Sequence, residues 1–208
     1  MTKSTRQDTL QEFIGTLIPK TMDLSIKSNK TGKTYETGLN EGITIPVGEY
    51  KVNGVSMDRS GTMLFGNRVS ISQIPSIVTN TDVKILKGVD KYRLDANLNC
   101  FGIVVDLREI ERVEMTADRI YNQQLSFNQS ENYGIVFVNG ELGNQITFTI
   151  YPKDLDNYTS KELKMSGSRG NGVFVEQGKY YIIHPYKVDN ENAGFDMQLP
   201  LMQEIELK

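Results

Sequence analysis

One stretch, residues 43–52, constrains the fold more than any other part of the sequence. It reads Ile-Thr-Ile-Pro-Val-Gly-Glu-Tyr-Lys-Val, so Pro46 and Gly48 separate two runs of β-forming residues, and Tyr50 follows two residues after the glycine. Glycine adopts backbone angles that other residues avoid, and tyrosine and valine favour strands. The stretch therefore predicts two strands that meet at the corner of a β-sandwich, with structural roles for Pro46, Gly48 and Tyr50.

A weaker copy of this pattern lies towards the carboxyl end. In residues 175–182, Gly178 again stands two residues before a tyrosine, Tyr180, and β-forming residues follow. Glu176 occupies the position that corresponds to Pro46. Gly178 and Tyr180 are predicted to form a second structural corner, and neither corner resembles an active site.

The rest of the chain favours an all-β protein. Eighteen glycines and ten tyrosines, with recurrent Asn and Asp, are typical of short strands joined by tight turns. Met22, Leu24 and Ile26 alternate with polar residues, as in a strand with one buried face. Residues 8–18 are ambiguous between a helix and a bent strand, because Gly15 interrupts their helical spacing. The predicted fold is two tandem β-sandwiches, transthyretin-like or immunoglobulin-like, with at most short helical turns.

A chain of 208 residues can form one large or two small domains. Residues 87–91 are polar, contain a glycine and separate two strong strand patterns, so the boundary is predicted near residue 89. The two sandwiches would then comprise residues 1–89 and residues 90–208.

Two strand patterns in the second half bear on its topology. The apolar phase changes between residues 92–100 and residues 103–107, which indicates either a bulge at Phe101 and Gly102 or two separate strands. Residues 135–138 and 146–150 read as a hairpin around Asn139 and Gly140, a favoured tight-turn pair, with Gly143 and Asn144 as the alternative turn.

Charge and hydropathy exclude some partners. The 23 basic and 26 acidic residues are spread along the chain and give a net charge of -3, so there is no basic surface for nucleic acid. No apolar run approaches the roughly 18 residues that cross a bilayer, and residues 1–6 carry no export signal. A cytosolic protein and an exported one with a signal or lipid anchor upstream both remain open.

The residues that carry chemistry are few. Cys100 is the only cysteine, which rules out an intrachain disulfide, and its position on a strand with an apolar pattern predicts a buried structural thiol. His184 is the only histidine and no Gly-x-Ser-x-Gly motif occurs, so His184 is interpreted as structural or surface-exposed. The carboxylate pairs Glu109–Glu111 and Glu204–Glu206 fall on solvent-facing sides of strands by alternation. No cofactor, metal or catalytic residue is predicted, although a hydrolase that uses His184 or a carboxylate pair is kept as a third hypothesis.

Two loops resemble ligand sites in composition. Residues 189–196 are rich in Asp and Asn, but Ala193 and Pro200 stand where an EF-hand needs oxygen ligands, so only a different calcium geometry remains open. Residues 167–172 are rich in glycine, but their order fits neither a dinucleotide fingerprint nor a P-loop. Both are interpreted as ordinary loops.

Sugar-binding surfaces usually present aromatic rings, and this chain has no tryptophan. Four tyrosines near predicted loops are the candidates for stacking on a sugar, although each is interpreted first as a core or rim residue. They are Tyr121, Tyr133, Tyr158 and Tyr186.

Residues 20–60 resemble the carboxypeptidase-regulatory-like, or transthyretin-like, β-sandwich domain. The resemblance lies in the strand at residues 23–26, the turn at residues 31–33 and the stretch at residues 42–52. The order of a Pro-x-Gly-x-Tyr domain and a second β domain is also similar to surface lipoproteins and fimbrillin-like proteins of Bacteroidetes.

These resemblances imply a non-enzymatic protein of the periplasm or outer cell surface that serves in adhesion or scaffolding. The implied partners are a cell-surface protein or a glycan. The alternative is a glycan-binding module of a polysaccharide-uptake system.

Overall fold

A computed structural model of the protein describes residues 3–39, 41–56, 63–65, 69–89, 91–117, 120–140, 146–166, 173–187, 195–198 and 203–207. These residues form one helix and twenty strands. In chain order they are α1 (Lys3–Thr16), β1 (Asp23–Ser28), β2 (Thr34–Gly38), β3 (Gly48–Ser56), β4 (Met63–Phe65), β5 (Val69–Ser72), β6 (Ile77–Ile85), β7 (Tyr92–Leu98), β8 (Phe101–Asp106), β9 (Ile110–Ala117), β10 (Ile120–Gln124), β11 (Asn128–Gln129), β12 (Tyr133–Gly140), β13 (Ile146–Pro152), β14 (Tyr158–Thr159), β15 (Lys161–Ser166), β16 (Val173–Phe174), β17 (Tyr180–Ile183), β18 (Tyr186–Lys187), β19 (Phe195–Gln198) and β20 (Gln203–Leu207).

The all-β fold class predicted from the sequence is confirmed. The helix is the exception: α1 has 14 residues and is longer than the short helical turns that were expected. Its ambiguous pattern resolves as a helix because Leu10 and Ile14, one turn apart, are both fully buried against a sheet.

Sheet A has six strands in the order β2-β1-β3-β6-β7-β20. One face is exposed and the other is buried, so β1, and β3 from Glu49 onwards, alternate between exposed or half-buried and buried side chains. The buried face includes Leu24, Ile26, Tyr50 and Val52. Because of this alternation, the strands of this sheet can be predicted from the alternating apolar and polar residues of the sequence.

Irregular backbone covers part of the buried face of sheet A. Residues 41–47 were predicted to contain a strand before the corner, but they lie outside the strands. Both edges of β3 are already paired, with β1 and with β6, so no position beside β3 remains for another strand. Ile43 and Ile45 instead pack onto the core of the sheet.

Sheets B and C form the sandwich in the strict sense. Sheet B has the order β19-β17-β8-β12-β5-β4, with β11 on β12, and sheet C has the order β10-β9-β13-β15-β16. Strands β14 and β18 form a separate two-stranded ladder. A continuous apolar core joins the two sheets, with Ile103 and Val136 from sheet B and Val113 and Phe148 from sheet C. Helix α1 covers the other face of sheet B, where it packs against the cluster that contains Val104 and Ile135.

The change of phase after residue 100 marks two separate strands rather than a bulge. β7 belongs to sheet A and β8 to sheet B, and the chain crosses between the sheets at Asn99 and Cys100. A second crossing, between β5 and β6, lies beside the first, because the Asn99 N–H donates to Ser76 O at 2.8 Å. Leu98 packs against the cores on both sides of this junction.

The hairpin predicted for residues 135–150 is wrong. β12 pairs with β8 and β5 in sheet B, whereas β13 pairs with β9 and β15 in sheet C. Both strands exist as expected, but each finds its partners far away in the sequence. The local Asn-Gly signal therefore identified the end of a strand and not its partner.

The sheets are not divided at residue 89. β7 and β20 follow that residue and complete sheet A, while β4 and β5 precede it and extend sheet B. The boundary near residue 89 stays a prediction about independent folding units.

Candidate functional site

Three turns meet at one end of sheet A. β1 ends at Ser28 opposite Tyr50, and β3 begins at Gly48 opposite Ile85, the last residue of β6. The turns at residues 29–33 and 86–89, and the last residues of the segment at residues 41–47, therefore reach the same end of the sheet, since antiparallel neighbours bring their connections together.

This end exposes three aliphatic side chains, which we call the aliphatic tip: Val47, Leu86 and Val89. They are 64%, 51% and 42% exposed, although residues of this type are usually buried. All three line one groove of about 450 Å³, and Ile43 and Ile45 form part of its wall. Val47 also borders a second groove, of about 650 Å³, on its other side.

The turn that carries Leu86 and Val89 is held in one shape. The Val89 N–H donates to Leu86 O at 3.4 Å, and Gly88 has a φ of 80°, which the third residue of a type II turn requires. The Tyr92 hydroxyl accepts from the Leu86 N–H at 2.7 Å. The exposed position of Leu86 is thus a consequence of hydrogen bonds and not of a loose loop.

The predicted corner residues hold the other turn. The Tyr50 hydroxyl donates to Pro46 O at 2.8 Å, four residues upstream, as in the tyrosine corners of β-sandwiches. The Tyr50 ring is buried beside Tyr35, with the ring centroids 6.3 Å apart. Burial raises the pKa of Tyr50, so its hydroxyl keeps its proton as a donor. Gly48, with a φ of 159°, lies close to extended backbone.

Lysines surround the aliphatic tip. Lys87 stands between Leu86 and Val89, and Lys30 and Lys33 line the second groove beside Val47. All three are exposed. The acidic residue on these two grooves is Glu49, which faces Lys84 across the β3–β6 pair. Among the described residues that line the two grooves, lysines therefore outnumber acidic residues by three to one.

The second predicted corner differs in detail. Gly178 has a φ of 79°, in the left-handed region that glycine favours. The hydroxyl that bonds upstream backbone belongs to Tyr181, which accepts from the Glu176 N–H at 2.9 Å. Tyr180 points to the opposite face of β17, where it is buried in the cluster under α1. Tyr181 therefore makes the backbone hydrogen bond of this corner in place of Tyr180, because successive side chains of a strand face opposite sides.

The titratable residues near His184 contact one another around the turn between β8 and β9. His184 Nδ1 lies 3.8 Å from Glu109 Oε2, with both side chains about one-third exposed. Asp106 is buried and binds Arg108 in a two-point contact, Nε to Oδ1 at 2.8 Å and Nη2 to Oδ2 at 2.6 Å. The hydrogen bond from Arg108 to Asp106 raises the pKa of Arg108. Glu111 lies 3.9 Å from Arg112. These contacts fix the turn between β8 and β9.

The other candidates from the sequence take structural places or lie outside the description. Cys100 is fully buried, and burial raises the pKa of its thiol to about 12, so it is a poor nucleophile. Tyr133 is buried and Tyr158 half-buried, which removes Tyr133 as a sugar platform. The side chains of Tyr121, Tyr186, Glu204 and Glu206, residues 167–172 and residues 189–194 lie outside the described part of the chain.

The described residues hold neither a cluster of metal ligands nor a membrane-spanning helix. They contain no group of three or more His, Cys, Asp or Glu side chains placed to hold a metal ion. None of the helices within the described ranges has the length and apolar character to cross a membrane.

The comparisons with known proteins leave the family open. No protein-family model matches the chain, and no curated protein matches it. Among solved structures, it is similar to a "putative cell adhesion protein" from Bacteroides uniformis, with 8% sequence identity, a TM-score of 0.43, and coverage of 88% of this chain and 91% of the other. Similarity at this level does not assign a family to the chain.

Proposed function

We propose that this protein is a non-enzymatic, extracytoplasmic surface protein that acts in adhesion or scaffolding through the aliphatic tip. The observation that carries the proposal is the simultaneous exposure of Val47, Leu86 and Val89 on two turns at one end of sheet A. Three adjacent exposed aliphatic side chains are costly in water unless they serve a contact.

The rigidity of the tip supports the same function. Tyr50 and Tyr92 each use their hydroxyl to hold one of the two turns, at 2.8 Å and 2.7 Å. A surface that is already ordered loses less conformational entropy when it binds. We also propose that the first half is transthyretin-like and that the protein has a fimbrillin-like or lipoprotein accessory role.

The non-enzymatic part of the proposal is supported by the environment of the sole histidine. His184 faces Glu109, and the neighbouring Asp106 is occupied by Arg108. Hydrolysis of an ester, glycoside or phosphodiester substrate that disappears in His184→Ala would contradict it.

Adhesion of protein-coated beads to bacterial and epithelial cells, counted by flow cytometry, tests the role of the tip. We expect Leu86→Asp to lower bead attachment about tenfold or more, because a leucine side chain would no longer be buried at the contact. Leu155→Asp is the matched control: Leu155 is 69% exposed and lies on the turn after β13. Equal attachment of both variants and the wild type would refute the tip as the contact, and specific binding on a glycan array would favour the glycan-binding alternative.

A further inference from the structure

We propose that the aliphatic tip binds an anionic lipid surface, with its aliphatic side chains at the headgroup boundary and its lysines on the headgroups. This inference rests on the proposed function, since it names the partner of the same site. Interfacial attachment of this kind needs exposed apolar groups and nearby basic groups that enter the interface together.

The placement of the three aliphatic residues fits a planar partner. Gly48 and Ile85 are opposite each other in the β3–β6 pair, so Val47 and Leu86, the residues just beyond them, end side by side. Val89 follows in the same turn as Leu86. The apolar groups thus lie at the end of the sheet rather than along its face, where a flat surface can reach all of them at once.

The charges complement an anionic surface. Lys30, Lys33 and Lys87 surround the aliphatic residues, and the acidic residue on the two grooves, Glu49, faces Lys84. The ammonium group of Lys33 also lies over the ring of Tyr35, with Nζ 4.7 Å from the ring centre. Each lysine close to an anionic membrane adds an attraction that weakens as salt is added.

The composition of the tip is unlike that of a protein–protein contact. Tyrosine, tryptophan and arginine dominate the binding energy of such contacts, while leucine and valine are under-represented and lysine is depleted. Here the exposed residues are valine, leucine and lysine, and the nearby rings of Tyr35, Tyr50 and Tyr92 are buried or half-buried. A lipid surface is therefore the better partner for these side chains.

Sedimentation of the full chain with vesicles tests the inference. We expect the wild type to sediment with vesicles of mixed phosphatidylcholine and phosphatidylglycerol, to release from them as salt rises, and to stay in solution with phosphatidylcholine alone. Lys87→Glu should weaken binding on the order of twentyfold, because it reverses one charge at the surface. Leu86→Asp should weaken it at least as much. Leu155→Asp and Lys164→Glu, both exposed and within the part of the chain that contributes to the B/C sandwich, should bind as the wild type does.

The outcomes separate this inference from the proposed function. Failure of the wild type to sediment with the anionic vesicles, or equal binding by Leu86→Asp, overturns the lipid inference. If cell attachment still depends on Leu86 in that case, a protein or glycan occupies the tip and the adhesion function stands. Vesicle binding that depends on Leu86, without attachment to cells, supports the lipid inference and overturns the adhesion function.

Discussion

Tyrosine hydroxyls connect the core of sheet A to its exposed end. Tyr50 is buried in the sheet, yet its hydroxyl donates to Pro46 O at 2.8 Å and so fixes the residue before Val47. The hydroxyl of the half-buried Tyr92 accepts from the Leu86 N–H at 2.7 Å and so fixes Leu86. The residues that shape the aliphatic tip are therefore not the residues that the tip exposes.

Tyr50→Phe removes one hydrogen bond and leaves the ring. We expect the free energy of unfolding to fall by about 1 kcal/mol in urea titrations, the usual net value of one such bond. Tyr35→Phe is the control, because Tyr35 contacts the same ring edge to face. An unchanged midpoint for Tyr50→Phe would show that the bond to Pro46 does not stabilise the fold.

Burial of Cys100 makes the free energy of unfolding depend on pH in the alkaline range. Burial raises the pKa of its thiol from 9.0 to about 12, so between these values the unfolded chain loses a proton that the folded chain keeps. The stabilisation is complete below pH 9 and is lost as the pH rises, at up to about 1.4 kcal/mol per pH unit. Urea titrations from pH 7 to about pH 10 should show a decline above pH 9 that is shallower in Cys100→Ala. The same slope in both proteins would contradict this account.

Strand β3 depends on a glycine for space rather than for backbone angle. A Cβ at Gly54 would lie 2.5 Å from Leu24 Cδ2 and 2.8 Å from Met22 Sδ. Gly54→Ala should destabilise the protein by about 1–3 kcal/mol, as overpacking of a core does. Gly42→Ala is the control, since a Cβ there would meet nothing within 4 Å. A Gly54→Ala variant as stable as the wild type would mean that the core of sheet A is loosely packed.

The sequence predicts strands best where one face of the strand is exposed to solvent and the other is buried. β1 and β3 alternate and were located correctly, because sheet A is exposed on its outer side. In β8 every side chain is buried, because α1 covers one face of sheet B and sheet C the other. A strand of that kind shows no alternation, so its sheet could not be predicted.

Only part of the candidate site could be predicted from the sequence. A structural role for Tyr50 at a corner of the sheet was predicted from the residues around Pro46 and Gly48. Leu86 and Val89 were overlooked because residues 87–91 read as a polar boundary, and one apolar residue on either side of Lys87-Gly88 is not a motif. Their exposure depends on the register of β3 with β6, a contact between residues about 35 positions apart that local patterns do not specify.

At the scale of the whole molecule, sheets A and B each contain strands from both sides of the predicted boundary near residue 89. Residues 1–89 on their own would lack β7 and β20 from sheet A and β12, the strand on which β5 pairs in sheet B. We expect this fragment to be unfolded in circular dichroism, because the buried face around Val52 and Val83 would lose Leu94 and Ala96. A cooperative thermal transition of the fragment would instead support the boundary near residue 89.

The central claim is that the aliphatic tip enters the partner surface, and a single indole at position 86 measures this directly. The chain has no tryptophan, so Leu86→Trp and Leu155→Trp each carry one reporter without background. On addition of anionic vesicles, the account predicts a blue shift of emission and protection from acrylamide quenching for Leu86→Trp, with no change for Leu155→Trp. An indole in Leu86→Trp that stays fully quenchable while the protein is bound would contradict the account.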